Sequence, residues 1–296
     1  MRLTRGRITG DHGDDRGRGL IDLGHLEIHA WHGCNLSCES CSHYSSLGLK
    51  GGPTADECAQ WMKGWSGRLK PLIFSIVGGE PTLNRDLARI VRVAGAMWPE
   101  AGIRVVTNGF LLARHPELPR VLSELGKRAL LDVSSHHSGT EFQAKFTKVE
   151  NIVREWVADF GIRARIAPSD KYWTRRYGIR EDGGVAFGDG DPRLAWKNCV
   201  GKKSPQIFDG KLWKCPPIAY FDLLAARVKL EESWHTLAHT YRALEPDCSD
   251  ADLRAFFAKE EEKICRLCPN KPEPFKLPNP LRSKGARAAL SVEVER

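Results

Sequence analysis

The feature that most constrains the fold of this chain is an alternation of short apolar runs with longer amphipathic segments between residues 26 and 167. The short runs predict five strands, and the longer segments between them predict four helices. The strands are predicted over 26–31, 71–77, 103–107, 129–135 and 162–167, and the helices over 54–69, 83–98, 116–127 and 141–161. Because strands that alternate with helices build a parallel sheet from βαβ units, we predict an α/β fold with five or six such units before about residue 190.

The pattern changes after a Gly/Asp-rich segment at residues 181–192, which predicts a boundary. Beyond it, residues 204–215 contain two short apolar runs around Asp209-Gly210, a typical hairpin signal. Residues 250–268 predict a helix that leads into a pair of cysteines. We therefore predict a flexible leader over 1–24, a core over 25–190, a smaller domain over 191–270 and a Pro-rich, basic tail over 271–296.

Charge and composition exclude several classes of protein. The net charge is +8, but residues 1–20 and 271–296 supply five of these charges, so we expect no nucleic-acid partner. The chain has no run of about 18 apolar residues and no apolar segment near its N-terminus, so we expect neither a membrane span nor a secretory signal. A cytoplasmic location follows. Nine cysteines in such a compartment favour metal binding or catalysis over disulfides.

Three of these cysteines, Cys34, Cys38 and Cys41, form a C-x3-C-x2-C pattern directly after the first predicted strand. Sites in parallel α/β sheets form at this carboxyl end of the strands. Three thiolates on one loop can bind three irons of a [4Fe–4S] cluster and leave the fourth iron open. Taken alone, the triplet also allows three structural cysteines, or a zinc site completed by His32 or His43.

The loops after the next two strands complete a specific set of motifs. Residues 78–81 (GGEP) follow the second strand, and residues 107–109 (TNG) follow the third. Together with the triplet, they resemble the radical S-adenosylmethionine (SAM) superfamily over about residues 26–170. The resemblance implies a partial (β/α)6 TIM-like barrel that binds a [4Fe–4S] cluster through the triplet, with SAM as a cofactor. It also implies SAM contacts from Gly78, Gly79, Glu80, Asn108 and Ser134. Among these, the glycines would let the backbone approach the ligand, and Glu80 would place an anion near the methionine ammonium.

One position departs from the pattern of this family. The residue before the third cysteine is often aromatic and lies against the adenine, but here it is Ser40. His43 or Tyr44 is an alternative contact for the adenine, and both residues equally suit packing within the loop. Residues 165–178, which include Trp173, Arg175 and Arg176, are predicted to form a solvated basic loop rather than to line a cavity.

Four further cysteines resemble the twitch module, a short auxiliary-cluster domain related to the SPASM domain. Cys199 precedes the predicted hairpin, Cys215 follows it, and Cys265 and Cys268 form a C-x2-C pair after the last helix. The resemblance implies a small C-terminal twitch-type domain whose four thiolates bind a second [4Fe–4S] cluster. A zinc site with four cysteine ligands has the same spacing and remains the alternative.

Two cysteines remain, and one of them affects the predicted reaction. Cys58 is predicted to be a buried core residue. Cys248 lies at a predicted helix start, and we predict that it donates a hydrogen atom to a substrate radical; a structural thiol and a replacement ligand are the alternatives. With this donor, the chain is predicted to be a radical SAM epimerase of a small polyhydroxylated or amino-sugar substrate. A one-electron reductant such as flavodoxin or ferredoxin is its expected partner.

Other reactions remain open at this point. The arrangement resembles small twitch-containing enzymes of aminoglycoside biosynthesis, of both the neomycin C epimerase type and the 2-deoxy-scyllo-inosamine dehydrogenase type. The first alternative is therefore a dehydrogenase that uses the auxiliary cluster as electron acceptor, and the second is a peptide-modifying maturase. A zinc-binding regulatory protein is the non-enzymatic alternative, and the intact GGEP and TNG loops argue against it.

Overall fold

The computed structural model describes residues 19–281, so most of the predicted leader and part of the predicted tail lie outside the described residues. The five predicted strands and four predicted helices are confirmed, with ends that differ by a few residues. The strands are β1 (Ile21–His29), β2 (Leu69–Val77), β3 (Gly102–Thr107), β4 (Ala129–Ser135) and β5 (Ala164–Pro168). The helices are α1 (Ala55–Ser66), α2 (Leu87–Met97), α3 (Leu118–Leu125) and α4 (Thr140–Phe160). All five strands are parallel.

The two faces of this sheet differ in chemistry, and the strand register shows it. Ile28, Ile76, Val105 and Leu131 are neighbours across β1–β4 and are fully buried. Burial of each such side chain contributes about 1.5–3 kcal/mol to folding. One residue earlier in the first three strands, the register aligns polar side chains on the opposite face: Glu27, Ser75 and Arg104. The helices therefore cover an apolar face, and the inner face is polar.

The predicted hairpin is confirmed, but its position was not anticipated. It consists of β9 (Gln206–Phe208) and β10 (Lys211–Trp213), which pair antiparallel. Asp209 and Gly210 have φ angles of 52° and 72°, the left-handed conformation that such a two-residue turn requires. Strand β9 pairs parallel with β1, so the seven-stranded sheet has the order β10-β9-β1-β2-β3-β4-β5. The sixth parallel strand thus comes from the C-terminal region, and within residues 19–281 the sheet remains open.

The rest of the C-terminal region consists of short elements. These are β6 (Thr174–Arg175), β7 (Tyr177–Ile179), β8 (Val185–Phe187), α5 (Pro192–Lys197), α6 (Pro216–Ala219), α7 (Phe221–Ala225), α8 (Glu232–Ala238), α9 (Asp250–Ala258) and β11 (Glu273–Pro274). Ile207 of the hairpin and Leu253 of α9 belong to the same buried cluster as the main sheet. Tyr220 and Trp234 belong to two separate apolar clusters. The region therefore has apolar cores of its own and is joined to the main sheet by the hairpin and α9.

Every helix within residues 19–281 is too short or too polar to cross a lipid bilayer.

Candidate active site

A cavity of about 280 Å³ lies at the carboxyl ends of the central strands. Its walls are built from the ends of β2, β3 and β4 and from the loops that follow β1, β2 and β3. The three cysteines of the triplet line it: Cys34, Cys38 and Cys41. The five predicted SAM contacts line it as well: Gly78, Gly79, Glu80, Asn108 and Ser134. The structure therefore brings the predicted cluster ligands and the predicted SAM contacts to one place.

The two glycines of the GGEP loop pack against the chain that leads into the triplet. A Cβ on Gly79 would lie 2.2 Å from the carbonyl oxygen of Gly33, and one on Gly78 would lie 2.6 Å from that of Trp31. Because glycines have no Cβ, the two backbones come close enough to form hydrogen bonds. The Gly79 N–H donates to the Trp31 oxygen at 2.7 Å, and the Glu80 N–H donates to the Gly33 oxygen at 2.9 Å. These glycines hold the cysteine loop against the end of β2, and their approach to a ligand stays a prediction.

Glu80 is fully enclosed and accepts four hydrogen bonds from the chain. Its Oε1 accepts from the N–H and hydroxyl of Thr82, at 3.0 and 2.6 Å, and from the Thr107 hydroxyl at 2.5 Å. Its Oε2 accepts from the Asn108 N–H at 2.7 Å. Burial raises the pKa of Glu80, and the hydrogen bonds act in the opposite direction. The carboxyl group thus ties the loop after β2 to the loop after β3.

Asn108 extends this connection to the triplet loop. Its Nδ2 donates to the Oδ1 of Asn35 at 2.7 Å, next to Cys34 in sequence. The ends of β1, β2 and β3 are consequently joined by one set of side-chain hydrogen bonds around the cavity.

Ser40, which occupies the position where the family often has an aromatic residue, has a structural role. Its hydroxyl accepts from the backbone N–H groups of Arg176 and Tyr177, at 2.7 and 3.1 Å, and donates to the Tyr177 carbonyl at 3.2 Å. Ser40 is 2% exposed and has a φ angle of 60°. It fixes the triplet loop to the segment that leads into β7. Sequence reasoning missed this contact because the partners lie 137 positions apart.

The structure distinguishes between the two alternative adenine contacts. Tyr44 packs in the C-terminal apolar cluster, and its hydroxyl donates to the Pro217 carbonyl at 3.2 Å. His43 lines the cavity, and its buried Nε2 has no hydrogen-bond partner within residues 19–281. His43 also stacks on His29, with ring centroids 5.2 Å apart. Of the two residues, only His43 lines the cavity.

The prediction of a solvated basic loop over residues 165–178 is wrong for Trp173. This side chain lines the cavity, and its Nε1 donates to the Glu39 carbonyl at 2.6 Å. Arg175 forms an ion pair with the Glu39 carboxylate and stacks on Phe275, with 4.4 Å from its guanidinium carbon to the ring centroid. The segment therefore closes over the triplet loop because Glu39 offers both a carbonyl and a carboxylate.

Three charged or titratable side chains at the cavity were missed by the sequence analysis: Glu27, Arg104 and His136. Glu27 and Arg104 face it from the inner side of β1 and β3, and His136 follows β4. The sequence does contain a signal for Glu27, because His25, Glu27 and His29 alternate with apolar residues on β1. Central strands of parallel sheets are usually apolar on both faces, so alternating polar residues there indicate a polar cavity.

The four predicted auxiliary ligands come together in a second, small and mostly apolar cavity. Cys199 follows α5, Cys215 directly precedes α6, and Cys265 and Cys268 lie in and after a short 3-10 helix (Lys263–Leu267). Burial raises the pKa of the Cys215 and Cys265 thiols, and that of Cys268 to about 12. A thiolate at these positions therefore requires a cation, such as a metal, to replace its proton.

The donor sets of both cavities fit iron–sulfur clusters, which cysteine thiolates hold. Burial also raises the pKa of the Cys34 and Cys38 thiols, so the same requirement for a cation holds at the first cavity. Within residues 19–281, no three His, Cys, Asp or Glu side chains converge closely enough to hold a single metal ion. In a [4Fe–4S] cluster each thiolate would bind a different iron, so its ligands would be more widely spaced than those of one ion.

Cys248 is not among the residues that line either cavity, which argues against its predicted role as hydrogen-atom donor. Arg68 donates to the Cys248 sulfur at 3.3 Å and, through its other terminal nitrogen, to the Asp250 carboxylate at 2.7 Å. Arg68 directly precedes β2, whereas the first cavity lies beyond Val77 at the other end of that strand. At about 3.3 Å per residue, the two ends are more than about 25 Å apart. Cys58, by contrast, is fully buried in the main core as predicted.

The comparison with protein families agrees with these motifs. Residues 28–157 match the family model described as the Radical SAM superfamily. No curated protein matches the chain. Among solved structures, the chain is similar to BtrN in complex with AdoMet and 2-DOIA, with 16% identity over 86% of this chain and 98% of that chain and a TM-score of 0.49.

Two further structures are similar over smaller parts. One is anSMEcpe with bound AdoMet, with 22% identity, a TM-score of 0.39 and coverage of 49% of this chain. The match spans only 43% of the length of that protein. The other is Streptococcus suis SuiB bound to S-adenosylmethionine, with 12% identity, a TM-score of 0.32 and coverage of 65% of this chain and 60% of that chain. The family match at residues 28–157, which includes the triplet and the GGEP and TNG loops, supports a radical SAM domain in this part of the chain.

Proposed function

We propose that this protein is a radical SAM dehydrogenase of a small polyhydroxylated or amino-sugar substrate. The observation that carries the proposal is the single cavity that gathers the triplet cysteines, the predicted SAM contacts and a polar inner wall. When bound, a [4Fe–4S] cluster and SAM supply a 5′-deoxyadenosyl radical, which removes a hydrogen atom from the substrate. A one-electron donor such as flavodoxin or ferredoxin is the proposed partner.

The side chains around the cavity have separate roles in this proposal. The three triplet thiolates hold the cluster, and residues 78–80 with Asn108 and Ser134 bind SAM. Glu80 keeps the two SAM-binding loops at a fixed separation through its four hydrogen bonds. His43 offers its buried Nε2 to the adenosine part of SAM. Trp173 lines the same cavity and is held there by its hydrogen bond to the Glu39 carbonyl.

Dehydrogenation is favoured over epimerisation by the positions of the remaining cysteines. Epimerisation requires a hydrogen-atom donor opposite the radical, and Cys248 lies at the wrong end of the sheet. The four auxiliary cysteines share one cavity, and a second [4Fe–4S] cluster there would supply a one-electron acceptor. The two sites adjoin, because Tyr44 in the triplet loop donates to Pro217, two residues after Cys215.

The test is a labelling experiment on anaerobically reconstituted protein with SAM and a one-electron reductant. We use 2-deoxy-scyllo-inosamine, deuterated at its carbinol carbons, as the first substrate probe. The expected result is deuterium in 5′-deoxyadenosine together with a ketone product in equal amount. An inverted product in which solvent hydrogen replaces the substrate deuterium would instead identify an epimerase. Turnover of peptides but not of aminocyclitols or amino sugars would identify a maturase and overturn the proposal.

A further inference from the structure

Glu27 is a buried carboxyl group that the chemistry described so far does not use. It lies two residues before the carboxyl end of β1, where its neighbours in the sheet are Ser75 on β2 and Gln206 on β9. The residue is only 9% exposed, and what remains accessible faces the SAM cavity. A buried carboxyl group costs free energy unless it is paired or hydrogen-bonded, so its surroundings indicate what it does.

Gln206 holds one oxygen of Glu27 in place. The Gln206 Nε2 donates to the Glu27 Oε2 at 2.5 Å and to the Ser204 carbonyl at 2.9 Å. The Gln206 Oε1 accepts from the Tyr220 hydroxyl at 2.6 Å, which fixes the orientation of the amide. Tyr220 stacks on His29, with ring centroids 4.1 Å apart, so the whole group is anchored in the protein. The carboxyl group is therefore positioned by rigid elements rather than by a loop.

The nearest cation does not form an ion pair with Glu27. Arg104, on β3, also lines the cavity, but its guanidinium contacts Asp132 at 2.5 Å, and Arg165 binds the same carboxylate. A titratable group on the same strand is His25, whose Nε2 lies 3.4 Å from the Glu27 Oε1 and 2.7 Å from the Ser75 hydroxyl. Burial lowers the pKa of His25 to about 4, so this imidazole is neutral near pH 7.

The surroundings of Glu27 bring the pKa of its carboxyl group close to neutral pH. Burial raises the pKa of Glu27 from 4.5 to about 7, against the opposing effects of the Gln206 hydrogen bond and the Arg104 charge. The groups that face it are Gln206 from β9, Arg104 from β3, His25 from its own strand and the Tyr220 phenol. A carboxyl group that titrates near the working pH, in a cavity, has the properties of a general base.

We propose that Glu27 is the general base of the reaction, and that Arg104 and His136 complete a polar subsite for the hydroxyl groups of the substrate. The substrate radical carries a hydroxyl group on the radical carbon, and this O–H bond breaks. The proton forms a bond to the Glu27 carboxylate, and the electron pair of the broken bond stays on the substrate oxygen. The electron that completes the oxidation leaves to the one-electron acceptor named under the proposed function, on which this inference rests.

The first experiment compares wild-type protein with Glu27→Gln, which keeps the shape of the side chain but cannot accept the proton. With 2-deoxy-scyllo-inosamine as probe, we expect 5′-deoxyadenosine to form within about threefold of wild type, while the ketone falls by about 100-fold. A substrate radical should then accumulate in freeze-quenched EPR spectra. Glu124→Gln, an exposed glutamate on α3, is the matched control and should behave as wild type.

The second experiment measures ketone formation against pH. In the wild type, the rate should rise with pH through about 7, because the base acts as a carboxylate. Gln206→Met removes the hydrogen bond that stabilises the carboxylate, so it should move this rise to higher pH; Glu124→Gln should leave it in place. Ketone formation by Glu27→Gln at the wild-type rate, or an unmoved profile in Gln206→Met, would overturn the role of Glu27. Absence of 5′-deoxyadenosine in the wild type would instead refute the proposed function.

Discussion

At the scale of single residues, two buried glutamates, Glu27 on β1 and Glu80 in the loop after β2, differ in how completely the chain satisfies their hydrogen-bonding capacity. Glu80 accepts four hydrogen bonds from three residues, and both its oxygens are occupied by protein donors. Glu27 accepts one hydrogen bond at one oxygen, and its other oxygen has only a 3.4 Å contact with His25. The first arrangement holds a site together, and the second leaves a carboxyl group with capacity to exchange a proton.

The structural role of Glu80 can be measured with Glu80→Gln. The new amide NH2 must face one of the existing donors, from Thr82, Thr107 or Asn108, so a hydrogen bond is lost and a donor is left buried. We expect the free energy of unfolding to fall by about 2–3 kcal/mol in urea titrations, with weaker SAM binding. Glu124→Gln on the surface should stay within about 0.5 kcal/mol of wild type. Equal stability of the two variants would refute this role.

We predict that removal of the Cys248 thiol leaves the activity of the protein intact. Because its sulfur contacts Arg68 at the amino end of β2, Cys248→Ala should leave substrate turnover unchanged. The lost contact should lower the free energy of unfolding by no more than about 1 kcal/mol. Product assays under anaerobic conditions, with 5′-deoxyadenosine measured in parallel, check this. A variant that forms 5′-deoxyadenosine but no product would restore Cys248 as the hydrogen donor.

At the scale of elements, the β9–β10 hairpin links the two halves of the molecule. Its turn depends on two left-handed residues, and Gly210 has a φ angle of 72°. Gly210→Ala should therefore lower the free energy of unfolding by about 1 kcal/mol, since the new Cβ meets only ordinary contacts with Trp61. Gly67→Ala is the matched control, because Gly67 has a φ angle of −84° and open space around it. If both variants lose the same stability, the strain argument fails.

The elements also show how far the sequence determines the structure. Hydrophobic periodicity and the Asp209-Gly210 turn were sufficient to predict the main strands, the helices and the hairpin, because these signals are local. The pairing of β9 with β1, the Ser40 contacts and the position of Trp173 depend on partners far apart in the chain, and no local pattern encodes them. Cys248 illustrates the same limit: its helix start was visible in the sequence, but the end of the sheet against which it packs was not.

At the scale of the whole molecule, the cysteines form two separate sets in two cavities, and we propose one cluster for each set. Anaerobically reconstituted protein should contain about eight irons per chain. The double variant Cys265→Ala/Cys268→Ala should retain about four, because the triplet lies in a different cavity. Iron and zinc analysis with Mössbauer spectroscopy provides the measurement. About four irons together with one zinc in the wild type would show that the auxiliary cysteines form a zinc site.

The central claim, that the triplet cavity cleaves SAM, has a direct test in 5′-deoxyadenosine formation. The protein is reconstituted anaerobically, reduced with dithionite and given SAM. Cys34→Ala removes a ligand at the cavity, and Cys58→Ala is the matched control because that thiol is buried in the core away from it. The account predicts 5′-deoxyadenosine from the wild type and Cys58→Ala and none from Cys34→Ala. Formation by Cys34→Ala at the wild-type rate would contradict it.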